Sequence, residues 1–194
     1  MIIGLGHRSR HGKDTVGNFM IAWAAKQRPD LKIKKLSWAW KLKDVAFQLY
    51  GHLGLREAEF YDTPEGAKLR NVELSRIGKT PVEIWIDMGT PAVREHVWDQ
   101  TWIAWVEAFA TKYDVIICPD TRFANEVSAC DVTIKVTNPR VPHRTGKSVD
   151  NVLAGWEGWD YTVVNDGDLR QLETKAHTLA HTLLRGLPAG RARR

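Results

Sequence analysis

Apolar and polar positions along the chain switch between two periods. Ile2–Gly6 is a short apolar run ending in glycine, and from about Asp14 to Lys26 the apolar residues recur at helical spacing. Leu31 to Ser37 reads as a second strand with interleaved lysines, and Lys41 to Tyr50 returns to helical spacing. Val115-Ile116-Ile117-Cys118 is a continuous apolar run, the pattern of a buried parallel strand, which is expected to stop at Pro119. Val132 to Val136 and Tyr161 to Val164 are two further short β-branched runs. A last helix is expected from Leu169 to Leu184, opened by the turn Asn165-Asp166-Gly167 and by Asp168 as N-cap. Strands separated by helices predict βαβ units: an α/β fold with a central parallel sheet and helices on both faces.

The stretch from about residue 57 to 109 is mostly helical in pattern. Trp98, Trp102, Trp105 and Phe109 share one helical face, expected to be a buried aromatic stripe. Neither repeats nor a low-complexity linker interrupt the chain. The expectation is one domain over residues 1–184 with a helical insertion at about 57–109, followed by a basic, disordered tail at 185–194.

Composition changes this picture little. The 194 residues are 43% hydrophobic and 26% charged, ordinary for a globular domain, so fibrous and disordered classes drop out. No apolar run approaches the roughly 18 residues of a spanning helix, and no basic segment precedes an apolar one at the start. Two cysteines, Cys118 and Cys130, are too few for a disulfide scaffold and lack metal-ligand spacing. A cytoplasmic setting without a membrane partner is expected. The formal net charge of +5 suggests a polyanion partner until it is located. Four arginines lie in the last ten residues without an acid, and without them the balance is +1.

The chemistry concentrates in Gly4-Leu5-Gly6-His7-Arg8-Ser9-Arg10-His11-Gly12-Lys13-Asp14-Thr15, between an apolar strand and an amphipathic helix. That is the setting of a phosphate-binding loop: backbone N–H groups of a tight turn, backed by a helix N-terminus, make an anion cradle. Gly6, His7, Arg8, Ser9, Arg10, His11, Gly12, Lys13, Asp14 and Thr15 are the candidate ATP-binding set, with Lys13 reaching the β- and γ-phosphates. Arg8, Arg10 and Lys13 in one short loop would repel one another without an anion. The match to G-x-x-x-x-G-K-[ST] has two departures. His7 stands where the pattern has its first glycine, and Asp14 replaces the hydroxyl after the lysine. Asp14 and Thr15 are therefore the candidate Mg²⁺ contacts.

Asp120 follows the expected Val115–Cys118 strand, at the end where open α/β sheets place ligand-binding residues. Arg122, two residues on, has the forked guanidinium that suits phosphate. Together with Lys13 they form the candidate catalytic set. Arg70, Arg76 and Arg94 in the helical middle are candidate acceptor arginines. Trp38 and Trp40, on one face just before Lys41, are placed either to stack on an acceptor base or to pack in the core.

Four blocks in the same order resemble one family, the phage deoxynucleoside monophosphate kinases. They are Gly12-Lys13-Asp14-Thr15, then Met88-Gly89-Thr90 with Arg94 and Trp102, then Pro119-Asp120-Thr121-Arg122 with Glu126, and last Val163-Val164-Asn165-Asp166-Gly167-Asp168-Leu169. A further segment, residues 141–150 with His143, Arg144 and Lys147, is only loosely similar. The resemblance implies a P-loop nucleoside-monophosphate-kinase-like three-layer fold, with ATP and Mg²⁺ as cofactors and a deoxynucleotide acceptor. The candidate substrate-binding set is Trp38, Lys41, Arg70, Arg94, Asp120, Arg122 and Glu126, of which Arg94, Asp120, Arg122 and Glu126 lie in the resembling blocks, and a homodimer is compatible with the resemblance. Related phage kinases act on hydroxymethylated pyrimidine in DNA, so DNA is the alternative acceptor; Lys32, Lys34, Lys35 and the tail would suit it. A non-catalytic nucleotide sensor is the reading from another class.

Overall fold

A computed structural model describes residues 1–142, 152–153 and 155–190; the loosely matching segment from His143 and residues 191–194 lie outside that description. The chain divides into two compact units, one made of residues 1–38 and 106–194, the other of residues 39–105.

The larger unit is built on a five-stranded parallel sheet, with strands β1 (Ile2–Gly6), β2 (Ile33–Lys35), β3 (Val115–Thr121), β4 (Val132–Thr137) and β5 (Tyr161–Val164) in the order β2-β3-β1-β4-β5. The α/β class with a central parallel sheet is therefore as the pattern predicts. On one face, Ile3, Leu5, Val115, Ile117, Ile134, Val136 and Val163 pack with two helices, α1 (Lys13–Gln27) and α7 (Leu169–Leu184). α1 contributes Val16, Met20 and Ala24, and α7 contributes Leu172, Ala176, Leu179, Ala180 and Leu184. Period-two alternation along β1 sends Ile2, Gly4 and Gly6 to the opposite face. There the turn after α6 (Ala124–Ser128) packs so closely that a Cβ at Gly4 would lie 2.5 Å from Cys130 Sγ.

Two sequence expectations need correction here. β3 does not stop at Pro119 but continues to Thr121. Its register against β1 slips between Gly4↔Cys118 and Gly6↔Thr121, so Pro119 sits in a bulge, where its missing N–H breaks no ladder bond. The expected second strand is cut to Ile33–Lys35, because beyond Leu36 the chain bonds to side chains of the next strand instead of to its backbone.

Residues 185–190, the start of the expected tail, are hydrogen-bonded to the rest of their unit. The Arg28 guanidinium donates to the carbonyls of Leu184, Arg185 (2.9 Å) and Leu187 (2.6 Å), and Gly190 N–H donates to Asp114 Oδ1 at 2.9 Å. α7 itself opens as predicted, with Asp168 and Gln171 exchanging side-chain and backbone hydrogen bonds at 2.8 and 3.0 Å.

The smaller unit is helical. α2 (Trp40–Tyr50), α3 (Pro64–Leu69) and α4 (Pro81–Asp87) surround a core of Leu42, Ala46, Leu55, Tyr61, Ile84, Trp85 and Trp102. α4 runs into a wider π-helical segment, Met88–Glu95, which contains Pro91 and Arg94. The aromatic stripe is not buried as a whole. α5 (Thr101–Ala110) begins after Trp98, so Trp98 is off the helix and exposed, as is Trp105 on its outer side. Only Trp102 of the stripe is fully buried, and its indole donates to the Gly89 carbonyl at 3.1 Å. Trp105 is instead covered by the Lys41 ammonium, 4.7 Å from its ring. Among the described residues no helix is long and apolar enough to cross a membrane.

Candidate active site

The phosphate loop leaves the sheet at Gly6 and enters α1 at Lys13. His7, Arg10 and Gly12 have φ of 90°, 62° and 98°. Positive φ recurs at three positions of the loop, the kind of backbone from which anion-binding turns are built. His7 thus has a conformation that glycine adopts readily, at the position where the motif has its first glycine. Such a conformation costs a non-glycine residue about 1–2 kcal/mol. Gly12 has no such option: besides its φ, a Cβ there would stand 2.8 Å from Asn165 Nδ2.

Inside the loop, buried Lys13 donates from Nζ to the Arg8 carbonyl at 2.6 Å. Two nitrogen atoms of the loop, His7 Nδ1 and Arg8 Nε, are buried without a hydrogen-bond partner among the described residues. A buried polar group left unsatisfied costs about 1–3 kcal/mol, and the Arg8 Nε–H, which can only donate, lacks an acceptor among the described residues. Burial, followed by the charges of Lys135, His11, Arg8 and Lys13, lowers the His7 pKa to about 4. His11 is lowered too, chiefly by burial. The two rings lie 5.4 Å apart. An oxyanion is the kind of group that accepts from an Arg Nε–H such as that of Arg8.

Neighbouring strand ends fix the loop. His11 Nδ1 accepts from Asn138 N–H, just past β4, at 3.1 Å, and the His11 carbonyl accepts from Asn165 Nδ2, just past β5, at 3.2 Å. Trp159 lies over the start of the loop, where a Cβ on Gly6 would overlap its ring at 2.2 Å. Asn138, Trp159, Lys135 and the pinning role of Asn165 were not legible as site features. For the asparagines the available signal was position, since each is the first residue beyond a strand's carboxyl end.

The bulge at Pro119 decides where Asp120 goes. Gly6 pairs with Thr121, so Asp120 stands at the same carboxyl edge as the base of the loop. Its carboxylate accepts from Ser37 Oγ at 2.5 Å and from Trp38 N–H at 3.0 Å, binding the β2 exit to β3. Arg122 follows, half-buried, with its backbone N–H donating to Glu126 Oε2 at 2.7 Å.

The other candidates divide by unit. Thr15, in the first turn of α1, has a hydroxyl with no partner among the described residues. Asp14 is largely exposed and pairs with Lys35 at 3.6 Å. Ser9 lies in the loop and Arg10 is exposed beside it. Trp38 is 1% exposed and donates its indole N–H to Thr121 Oγ1 at 3.1 Å; it is a core residue and cannot offer a face for base stacking. Glu126 is 2% exposed, and its carboxylate also accepts the Phe123 N–H at 3.2 Å. That bonding and burial correct its expected role as a substrate contact: Glu126 caps its own helix. In the smaller unit Lys41 is paired with Asp44 at 2.6 Å, Arg70 lies against Trp85, and Arg94 sits on the π-helical segment. Arg76 is exposed.

No protein-family model matches the chain, and no curated protein matches it in sequence. Among solved structures, the crystal structure of shikimate kinase from Aquifex aeolicus vf5 is similar over 96% of this chain and 100% of that chain, at 12% identity and a TM-score of 0.41. A likeness that distant does not bear on the reaction.

Proposed function

We propose that the chain is an ATP-dependent phosphotransferase whose acceptor is a deoxynucleotide, in the first place a deoxynucleoside monophosphate. The observation that carries the reading is the loop from Gly6 to Thr15. It combines three left-handed positions, a buried lysine at a helix start and a buried Arg8 Nε–H without an acceptor among the described residues. A polyphosphate satisfies all three features at once. The acceptor class rests on the resemblance of the four sequence blocks.

In this reading the phosphorus–oxygen bond between the β- and γ-phosphates breaks as an oxygen of the acceptor's phosphate bonds the γ-phosphorus, giving ADP and a deoxynucleoside diphosphate. Lys13 gives up the Arg8 carbonyl for the β- and γ-phosphate oxygens and stabilises the charge that moves between them. Arg122 holds the acceptor, and Asp120 keeps the β2 exit and the β3 end together beneath it. The hydroxyl of Thr15 and the carboxylates of Asp14 and Asp120 are hard oxygen donors of the kind Mg²⁺ takes. Bound there with ATP, the metal would neutralise phosphate charge.

The test is label transfer from γ-labelled ATP to a panel of deoxynucleoside monophosphates with Mg²⁺. Lys13→Ala is expected to slow transfer about a hundredfold or more in a protein that still unfolds cooperatively at the wild-type temperature. Near-normal transfer by that variant would overturn the loop assignment. No transfer by the wild type to any nucleotide or to hydroxymethylated DNA would leave the sensor reading.

A further inference from the structure

Lys135 lies on β4, in the same compact unit as the phosphate loop. Its Cα is the register partner of Gly6, the last residue of β1 before the loop leaves the sheet. Register partners in a parallel pair send their side chains to the same face, so Lys135 rises beside the foot of the loop. Ile134 and Val136, its chain neighbours, point instead into the core of the other face. The space directly over Gly6 is taken by the Trp159 ring, 2.2 Å from where a Cβ would stand. The Lys135 ammonium acts at the loop end of the strand. Of the charged groups that keep the His7 imidazole neutral, it weighs more than Arg8, the next residue in the chain.

Lys135 is half-buried, and its side chain makes no hydrogen bond or ion pair among the described residues. Asp160, which packs on the same face two residues back along β4, is engaged by Thr133, accepting from its N–H at 2.8 Å and from its hydroxyl at 2.7 Å. The Arg8 guanidinium also has no ion pair among the described residues, and its Nε is buried without an acceptor. Two cations thus flank His7, which is neutral at pH 7 and offsets neither. Taking part of a cation's surface out of water without a partner is unfavourable, and ammonium and guanidinium groups can only donate. A group that brings several acceptor oxygens together with negative charge answers both. We propose that Lys135 is a phosphate-binding residue, which with Arg8 holds oxygens of the bound polyphosphate from the β4 side of the loop. The proposal rests on the reading of Gly6 to Thr15 as a phosphate loop and extends that site to a neighbouring strand. A lysine suits the place because its flexible stem carries a compact charge with three donors.

The experiment is calorimetric titration of the full chain with inorganic tripolyphosphate and with ATP, on the wild type, Lys135→Gln, Lys135→Arg and Lys13→Ala. Lys135→Gln is expected to weaken both ligands about tenfold or more, the worth of one charge-assisted hydrogen bond, and Lys135→Arg to recover most of the loss. A second readout is the His7 imidazole in the free protein, followed by NMR through the signal that His7→Gly removes. It should titrate nearer its ordinary value in Lys135→Gln and stay low in Lys135→Arg. Wild-type affinity in a Lys135→Gln protein that unfolds cooperatively overturns the proposal. A loss that Lys135→Arg does not recover overturns it too, because charge would then not be what binds. An unchanged His7 titration in Lys135→Gln places the ammonium away from the loop and has the same consequence. If Lys13→Ala weakens tripolyphosphate and Lys135→Gln does not, the loop stands and this site falls. If binding depends on Lys135 but the wild type transfers no phosphoryl group to any acceptor, this site stands and the phosphotransferase reading falls. A wild type that binds neither ligand overturns both.

Discussion

His7 carries two opposed burdens: a φ of 90° that favours glycine, and a half-buried imidazole among cations. The backbone burden predicts that His7→Gly stabilises the protein by about 1 kcal/mol at neutral pH, after glycine's greater freedom in the unfolded chain is counted. The imidazole burden predicts a pH dependence. Its folded pKa, about 4, lies below the ordinary value of 6.5, so between those values the unfolded chain binds the extra proton. The stability this residue permits is complete above pH 6.5 and is lost as pH falls toward 4. Thermal unfolding of wild type and His7→Gly across pH 4 to 7.5 checks both points. The variant should melt higher at pH 7 and lose less on acidification. Identical pH profiles would show that His7 is not the half-buried neutral imidazole described here.

At the scale of elements, the turn from β3 into α6 is held by one carboxylate. Glu126 Oε2 accepts both the Arg122 and the Phe123 N–H, and so fixes the backbone that presents Arg122. Glu126→Ala leaves two inward-facing donors without their acceptor and is expected to cost about 2 kcal/mol. Glu126→Gln keeps an acceptor oxygen and should restore much of that loss. Urea unfolding of the pair measures it. If Glu126 were instead a substrate contact, both variants would unfold like the wild type and differ only in their acceptor KM. The bulge at Pro119 works at the same scale: a residue that would end most strands here extends one, and the extra residue sets Asp120 at the sheet edge.

For the whole molecule, the C-terminal segment is divided at Gly190. Up to that point Arg28 and Asp114 bind its backbone, so the end of α1 and the start of β3 both depend on it. A chain ending at Leu184 should melt several degrees lower than one ending at Gly190, because Arg28 loses the Arg185 and Leu187 carbonyls and Asp114 loses the Gly190 N–H together. The chain ending at Gly190 lacks Arg191, Arg193 and Arg194. If the acceptor is a free nucleotide it should keep wild-type turnover with little salt dependence. Turnover that falls steeply with salt in the full chain, and drops when those arginines are removed, would move the acceptor reading to DNA, since phosphate contacts release counterions on binding. Steady-state rates at two salt concentrations on both chains distinguish the outcomes.

Local pattern was sufficient for the elements whose physics is local. β1, β5 and α7 fall on the residues that apolar periodicity and capping chemistry mark, and the strand–loop–helix order alone exposed the loop from Gly6 to Thr15. What the sequence could not decide depends on register and burial between distant segments. Pro119 reads as a strand end until β1 is laid beside it. Trp38 reads equally as a stacking platform or a core residue until Thr121 is found to accept its N–H. Glu126 resembles a ligand contact until its carboxylate is seen on its own backbone. Asn138 and Asn165 become parts of the site only because parallel strands bring their carboxyl ends to one edge. A hydrogen bond between residues more than a hundred positions apart leaves no period in the sequence, since the chain between them sets its own.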